Sequence, residues 1–205
     1  MKRLVLVLSV LACGMLFGQD KVAYISMEKA WGEFYKTCSA NVIFEQKKAE
    51  FEEKIAILQQ GLEAEAKELK ALQADATNEL LSADASEEAK RKFRVRAELF
   101  AGKRDDFERS RRSGVQELNR LKAETEDMLM KELTGFVEKY AADKGITHLY
   151  DVSGLTMNRL PVLLVYPKEQ DVTNDFITVI NAGHEKEQQE AKEKVEAIRK
   201  KEEKQ

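Results

Sequence analysis

Ser82-Ala83-Asp84-Ala85-Ser86-Glu87-Glu88 is the stretch that decides the fold, because it interrupts two long helical patterns. Asp84 and Ser86 are turn and cap residues, and Glu87 and Glu88 suit the positive end of a new helix. Upstream, no proline occurs from Met27 to Ser82. Apolar residues recur at spacings of three and four: Phe44, Phe51, Ile55, Leu58, Leu62, Ala66, Leu69, Leu72, Ala76 and Leu80. That is a heptad seam. Ser39 and Asn41 are candidates for an early interruption, and Gly61 weakens the helix by about 1 kcal/mol without ending it. Downstream, a second helix runs from about Ser86 to Asp143, its seam reading Phe93, Ala97, Phe100, Phe107, Leu118, Leu121, Thr125 and Met128, then Leu133, Phe136 and Tyr140. Gly145 is a fitting C-terminal stop. Two helices of matched length, each about 50 residues or roughly 80 Å, joined by a short turn, predict an antiparallel hairpin with coiled-coil character.

Charge supports the pairing. Glu45, Glu50, Glu52, Glu53, Glu63, Glu65 and Glu68 make the first arm acidic, whereas Lys90, Arg91, Lys92, Arg94, Arg96, Lys103, Arg104, Arg109, Arg111 and Arg112 make the outer second arm basic. Opposite signs favour closing the hairpin and set its register more than its stability. The distal seam is imperfect: between Phe100 and Leu118 the ideal positions fall on Arg104, Phe107, Arg111 and Gly114. Either the seam drifts by one position and the arginines face solvent, or the outer arm is loosely packed and presents phenylalanine and arginine to a partner.

Outside the hairpin the pattern changes. Lys21-Val-Ala-Tyr-Ile-Ser26 alternates as a short strand, and Ser26 can cap a helix from Met27. Ile146-Thr-His-Leu-Tyr150 reads as a second strand and Asp151–Gly154 as a turn. Pro161-Val-Leu-Leu-Val-Tyr166 reads as a buried third strand ended by Pro167. Asp171-Val-Thr173 opens a short helix through Asn181. His184 to Gln205 is almost wholly charged and is expected to be a solvated helix or a disordered tail. The chain therefore divides into a leader over 1–19, a body strand over 20–26, the hairpin over 27–145 with its tip near 82–87, a second body part over 146–182 and a tail over 183–205. The fold class is mainly α with a small β part: a long hairpin on a small β-barrel body completed by oligomerisation, since three short strands cannot close a core alone.

Composition excludes much. The chain has 205 residues, a net charge of −3, 35% charged residues and 7% aromatics. No basic excess points to nucleic acid. Lys2-Arg3 followed by the apolar run Leu4–Phe17 is a signal peptide, too short to span a membrane as a helix. Cleavage after Gly18 releases a soluble exported protein; the alternative, a lipid anchor at Cys13 in Val10-Leu11-Ala12-Cys13, remains open. Without Cys13, Cys38 cannot form an intrachain disulfide; it could cross-link subunits, but a buried apolar role is expected for it. No Walker-type loop surrounds Gly102-Lys103, His148 and His184 lack ligand-spaced neighbours, and helix capping accounts for Asp171 and Asp175. No enzyme activity, metal or cofactor is expected.

Three passages carry a family resemblance. Lys21-Val-Ala-Tyr-Ile-Ser-Met27, Leu81-Ser-Ala-Asp-Ala-Ser-Glu-Glu88, and Leu149-Tyr-Asp-Val-Ser-Gly154 followed by Asp171-Val-Thr-Asn-Asp-Phe-Ile177 resemble the Skp/OmpH family of periplasmic chaperones over residues 20–182. The resemblance implies a homotrimer whose strands form the barrel and whose hairpins surround a cavity. There, unfolded outer-membrane proteins are held without ATP in the periplasm. Client contact is then expected from Phe93, Phe100 and Phe107, with Arg104 and Arg111 steering acidic segments; contact with a membrane surface or lipid is a further expectation. Family members are often strongly basic, and this chain is not. Its Leu155–Gln170 segment is also longer than the family pattern, and its tail is extra. A structural coiled-coil envelope protein, or a lipid-anchored tether, is the competing reading.

Overall fold

The computed structural model describes residues 20–202; the expected leader, its cleavage site and Cys13 lie outside them. The elements in order are β1 (Val22–Ile25), α1 (Met27–Glu33), α2 (Tyr35–Ala76), α3 (Ala83–Lys144), β2 (His148–Asp151), a 3-10 turn (Lys168–Gln170), α4 (Thr173–Ile180) and α5 (Glu185–Glu202). The chain falls into two compact units. One comprises the residues up to Thr37 together with Met130–Gln188; the other comprises Cys38–Leu129 together with the residues from Gln189 on.

The first unit is built on a parallel pair. β1 and β2 match Val22 with His148, Ala23 with Leu149, Tyr24 with Tyr150 and Ile25 with Asp151. Alternation along β1 turns Ala23 and Ile25 inward and leaves Val22 and Tyr24 on the other face. The inward side meets a core of Ala30, Phe34, Leu133, Tyr140, Phe176 and Ile180, all buried. Phe34 meets Phe136 edge-on at 5.8 Å, and Tyr140 meets Phe176 edge-on at 5.3 Å. Each of the large apolar side chains contributes about 1.5–3 kcal/mol of burial.

Helix starts in this unit are densely capped. Ser26 Oγ accepts from Lys29 N–H at 3.2 Å, while Asp151 and Ser153 accept from the amides of Met27 and Glu28. Asp171 accepts from both the amide and the hydroxyl of Thr173 and from Tyr166 Oη. Burial pushes the Asp171 carboxyl upward, but the Thr173 and Tyr166 bonds outweigh it and hold the group below its ordinary value. Asp175 is likewise held low, first by Lys144 and then by Tyr140. The Tyr140 hydroxyl is pushed up, first by burial and then by its bond to Asp175 at 2.7 Å. Gly145 adopts φ 64 and ends α3, with Ile146 N–H returning to the Ala141 carbonyl, so the expected stop is the observed one.

Three features of this unit differ from the sequence reading. The early helix interruption falls at Phe34, not at Ser39 or Asn41. Phe34 takes an extended ψ of 124° and is fully buried. The Asn181 amide spans the break, accepting from Tyr35 N–H at 2.8 Å and donating to the Glu33 carbonyl at 2.9 Å. Second, Pro161–Tyr166 is not a buried strand. Val162, Leu164 and Val165 are 61%, 77% and 89% exposed, and Pro161 makes only an isolated bridge to Leu155. A continuous apolar run signals that cover is needed, but the single chain supplies no layer to provide it. Third, the sheet therefore has two strands and not three.

In the second unit, α2 and α3 pair through a seam of Phe51, Ile55, Leu62, Leu69 and Leu72 on α2 and of Phe93, Phe100, Phe107, Leu118 and Leu121 on α3, all half-buried. The reversal occupies residues 77–82, earlier than the expected 82–87, because Ser82 and not Ser86 caps α3; Ser82 Oγ accepts from Ala85 N–H. The helices are unequal, 42 residues against 62, or about 63 and 93 Å. Leu58, Ala66, Leu80 and Met128 leave the expected seam, Leu80 at 94% exposure, and Glu65 turns inward in place of Ala66. The tail is helical as α5.

Candidate functional site

The sequence reading singled out five residues of α3. Phe93, Phe100 and Phe107 recur every seventh residue, so they share one face and sit about 10 Å apart. Each is half-buried in the seam. Arg104 and Arg111 lie beside that row and are exposed; Arg111 is paired with Glu108 at 3.0 Å. The structure thus separates the five: the rings pack the hairpin and the guanidinium groups meet solvent. Of the four ideal distal positions, Phe107 and Gly114 stay half-buried in the seam, while Arg104 and Arg111 leave it.

Gly114 is no flaw in that seam. A Cβ there would stand 2.0 Å from Phe51 Cε2, so the missing side chain makes room for the Phe51 ring. The distal seam is loosened instead by polar groups. Lys103 bonds Glu65 and Arg96 bonds Glu68 across the hairpin, following the acidic and basic bias of the two arms. Yet Glu65 Oε2 and Arg96 Nε are buried without a partner. Each such orphaned group costs about 1–3 kcal/mol, which weakens pairing locally.

Apolar residues off the seam were missed by the sequence reading. Val95 and Leu99 are 55% and 54% exposed on α3; with Leu72, Glu68, Arg91 and Arg96 they line an open groove of about 460 Å³. Ile57, together with Leu58 of the expected seam, lines another of about 360 Å³ with Glu50, Glu53 and Lys54. The signal was available: Val95, Leu99 and Ile57 are large apolar residues that the heptad register leaves unassigned. Each groove sets aliphatic surface beside charges of both signs. Such a surface can hold extended apolar segments weakly and without sequence preference.

The first unit carries a separate uncovered surface. Tyr24, Tyr150 and His148 stack along the outer face of the sheet, with ring centroids 6.0 and 6.4 Å apart, and Tyr166 meets Tyr24 at 5.1 Å. Beside them the chain from Leu155 to Val165 exposes Leu155, Met157, Leu160, Val162, Leu164 and Val165. Among the described residues, no helix is long and apolar enough to cross a membrane, and no group of three or more His, Cys, Asp or Glu side chains is arranged to hold a metal ion.

The hairpin, the parallel pair and the Asp171-capped last helix of the first unit coincide with a family model, described as outer membrane protein (OmpH-like), that matches residues 21–180. The chain belongs to the Skp/OmpH family. No curated protein matches it significantly. Membership supports a general role as a chaperone of outer-membrane proteins. The match ends before α5 begins.

Proposed function

We propose that this Skp/OmpH member is an ATP-independent periplasmic holdase, which keeps unfolded outer-membrane proteins from aggregating by contact with its helical hairpin. The observation that carries the reading is the exposed aliphatic surface off the seam, at Ile57, Val95 and Leu99, interleaved with charge. Many weak contacts of this kind suit clients that share no sequence. Phe93, Phe100 and Phe107 support them from the seam and become accessible where the hairpin loosens near Glu65 and Arg96. Arg104 and Arg111 lie where they can steer acidic stretches.

The same reading includes a homotrimer. The two-stranded sheet is marginal by itself, and the exposed run from Leu155 to Val165 needs cover that strands of other copies can supply. Export through the N-terminal leader belongs to this reading, as does contact with a lipid surface.

The decisive experiment dilutes an unfolded β-barrel membrane protein into buffer with and without the purified protein and follows light scattering. Suppression near one trimer per client is expected, unchanged by ATP. Scattering that persists at a severalfold excess would refute the holdase, and tight binding of one fixed envelope partner would favour a structural tether instead. The solution mass should be three times that of the chain; a monomer would remove the trimer.

A further inference from the structure

α2 carries a second inward stripe that the hairpin does not use. Cys38, at 4% exposure, and Glu45, at 7%, are buried, and Val42 and Ala49 between and beyond them are half-buried. These positions lie about 120° around the helix from the seam residues Phe44, Phe51 and Ile55. α3 packs on the seam side, so something else must cover this stripe.

The cover is α5. Ala191, Val195 and Ile198 fall at spacings of four and three, on one face, and Ala191 is buried. Next to Ile198, Arg199 donates from Nε at 2.8 Å and from Nη2 at 2.5 Å to Glu45 Oε1. Most of the rest of α5 is charged, Gln188 at its start donates to Glu33, and small Ala191 is its one fully buried apolar side chain among the described residues. A helix held by so little apolar contact opens locally well before the hairpin does.

We propose that α5 is a releasable strap: it closes over the Cys38–Val42–Glu45–Ala49 stripe of α2, is pinned there by the Arg199–Glu45 pair, and uncovers an apolar, acid-marked face when it lifts. The strap stands whether or not the protein is a holdase; in a holdase, its lifting adds client-binding surface.

Cys38 reports the state of the strap, because its thiol lies on the covered stripe. The experiment uses the full chain with Cys13→Ser, so that Cys38 is the remaining thiol. Its rate of labelling by a maleimide is measured for the parent, Arg199→Glu, Glu45→Arg and the double exchange. Each single reversal should raise the rate about tenfold, the low end for a charge-assisted contact with a half-solvated guanidinium. The double exchange should return the rate towards that of the parent, which separates strap release from general unfolding. Equal rates in the parent and both single variants would overturn the proposal, as would a double exchange that labels as fast as the singles.

Discussion

Replacing Gly114 by alanine should destabilise the hairpin, although the same change at Gly102 of α3 should stabilise it. Both glycines lie inside one helix, and in an open helix alanine gains about 1 kcal/mol over glycine. At Gly102 nothing lies within 4 Å of an added Cβ, so that gain is kept. At Gly114 the Cβ would stand 2.0, 2.5 and 2.9 Å from Phe51 Cε2, Cδ2 and Cζ. The contacts are to the ring itself, so relief requires a different Phe51 rotamer or a wider helix spacing, at a cost of about 1–3 kcal/mol. The net expectation for Gly114→Ala is a loss of up to about 2 kcal/mol, leaving the two variants about 1–3 kcal/mol apart. At about 2–4 °C per kcal/mol, helical ellipticity at 222 nm during thermal unfolding resolves that gap. Phe51→Leu in the Gly114→Ala background should recover part of the loss, because a smaller side chain leaves room for the methyl group. If Gly114→Ala stabilises as much as Gly102→Ala, Phe51 does not seat on Gly114 and the seam assignment is wrong.

Further outcomes are expected elsewhere. Asn181→Leu removes the amide that bridges Glu33 and Tyr35, taking the acceptor from the Tyr35 N–H while the Glu33 carbonyl keeps its bond from Gln188; denaturant unfolding followed by fluorescence of Trp31, the single tryptophan, should show a loss of about 1–3 kcal/mol. Asp171 and Asp175 are held below the ordinary value of 3.8, so their stabilisation is complete above that pH and is lost as pH falls through their lower folded values. Trp31 fluorescence should therefore begin to change below about pH 3.8, and Asp175→Asn should flatten that part of the profile. Val95→Ser combined with Leu99→Ser should weaken suppression of client aggregation severalfold with little change in thermal stability, since both side chains are more than half exposed; unchanged suppression would remove this groove from the client surface.

Most elements whose stability is local were legible in the sequence, although the cap of α3 was misplaced by one turn. Heptad spacing marked α2 and α3, Gly145 marked the end of α3, and Ser26 marked the start of α1, because each signal acts within one or two helical turns. The terminal passages carried the family. Register within the seam was less legible: spacing alone gives Ala66 and Glu65 equal claim to the inward position, and the Lys103 partner decides for Glu65. Tertiary structure alone decided the break at Phe34, since the group that replaces its lost helical bonds is Asn181, distant in sequence. It also decided where the tail docks, because a charged helix shows no partner until Arg199 meets Glu45. The apolar run at Pro161–Tyr166 marks the limit between the two: hydrophobic pattern states that a surface needs burial, and only a packed assembly says against what. What spacing fixes is which residues share a face; which face meets which depends on long-range contacts that no local pattern encodes.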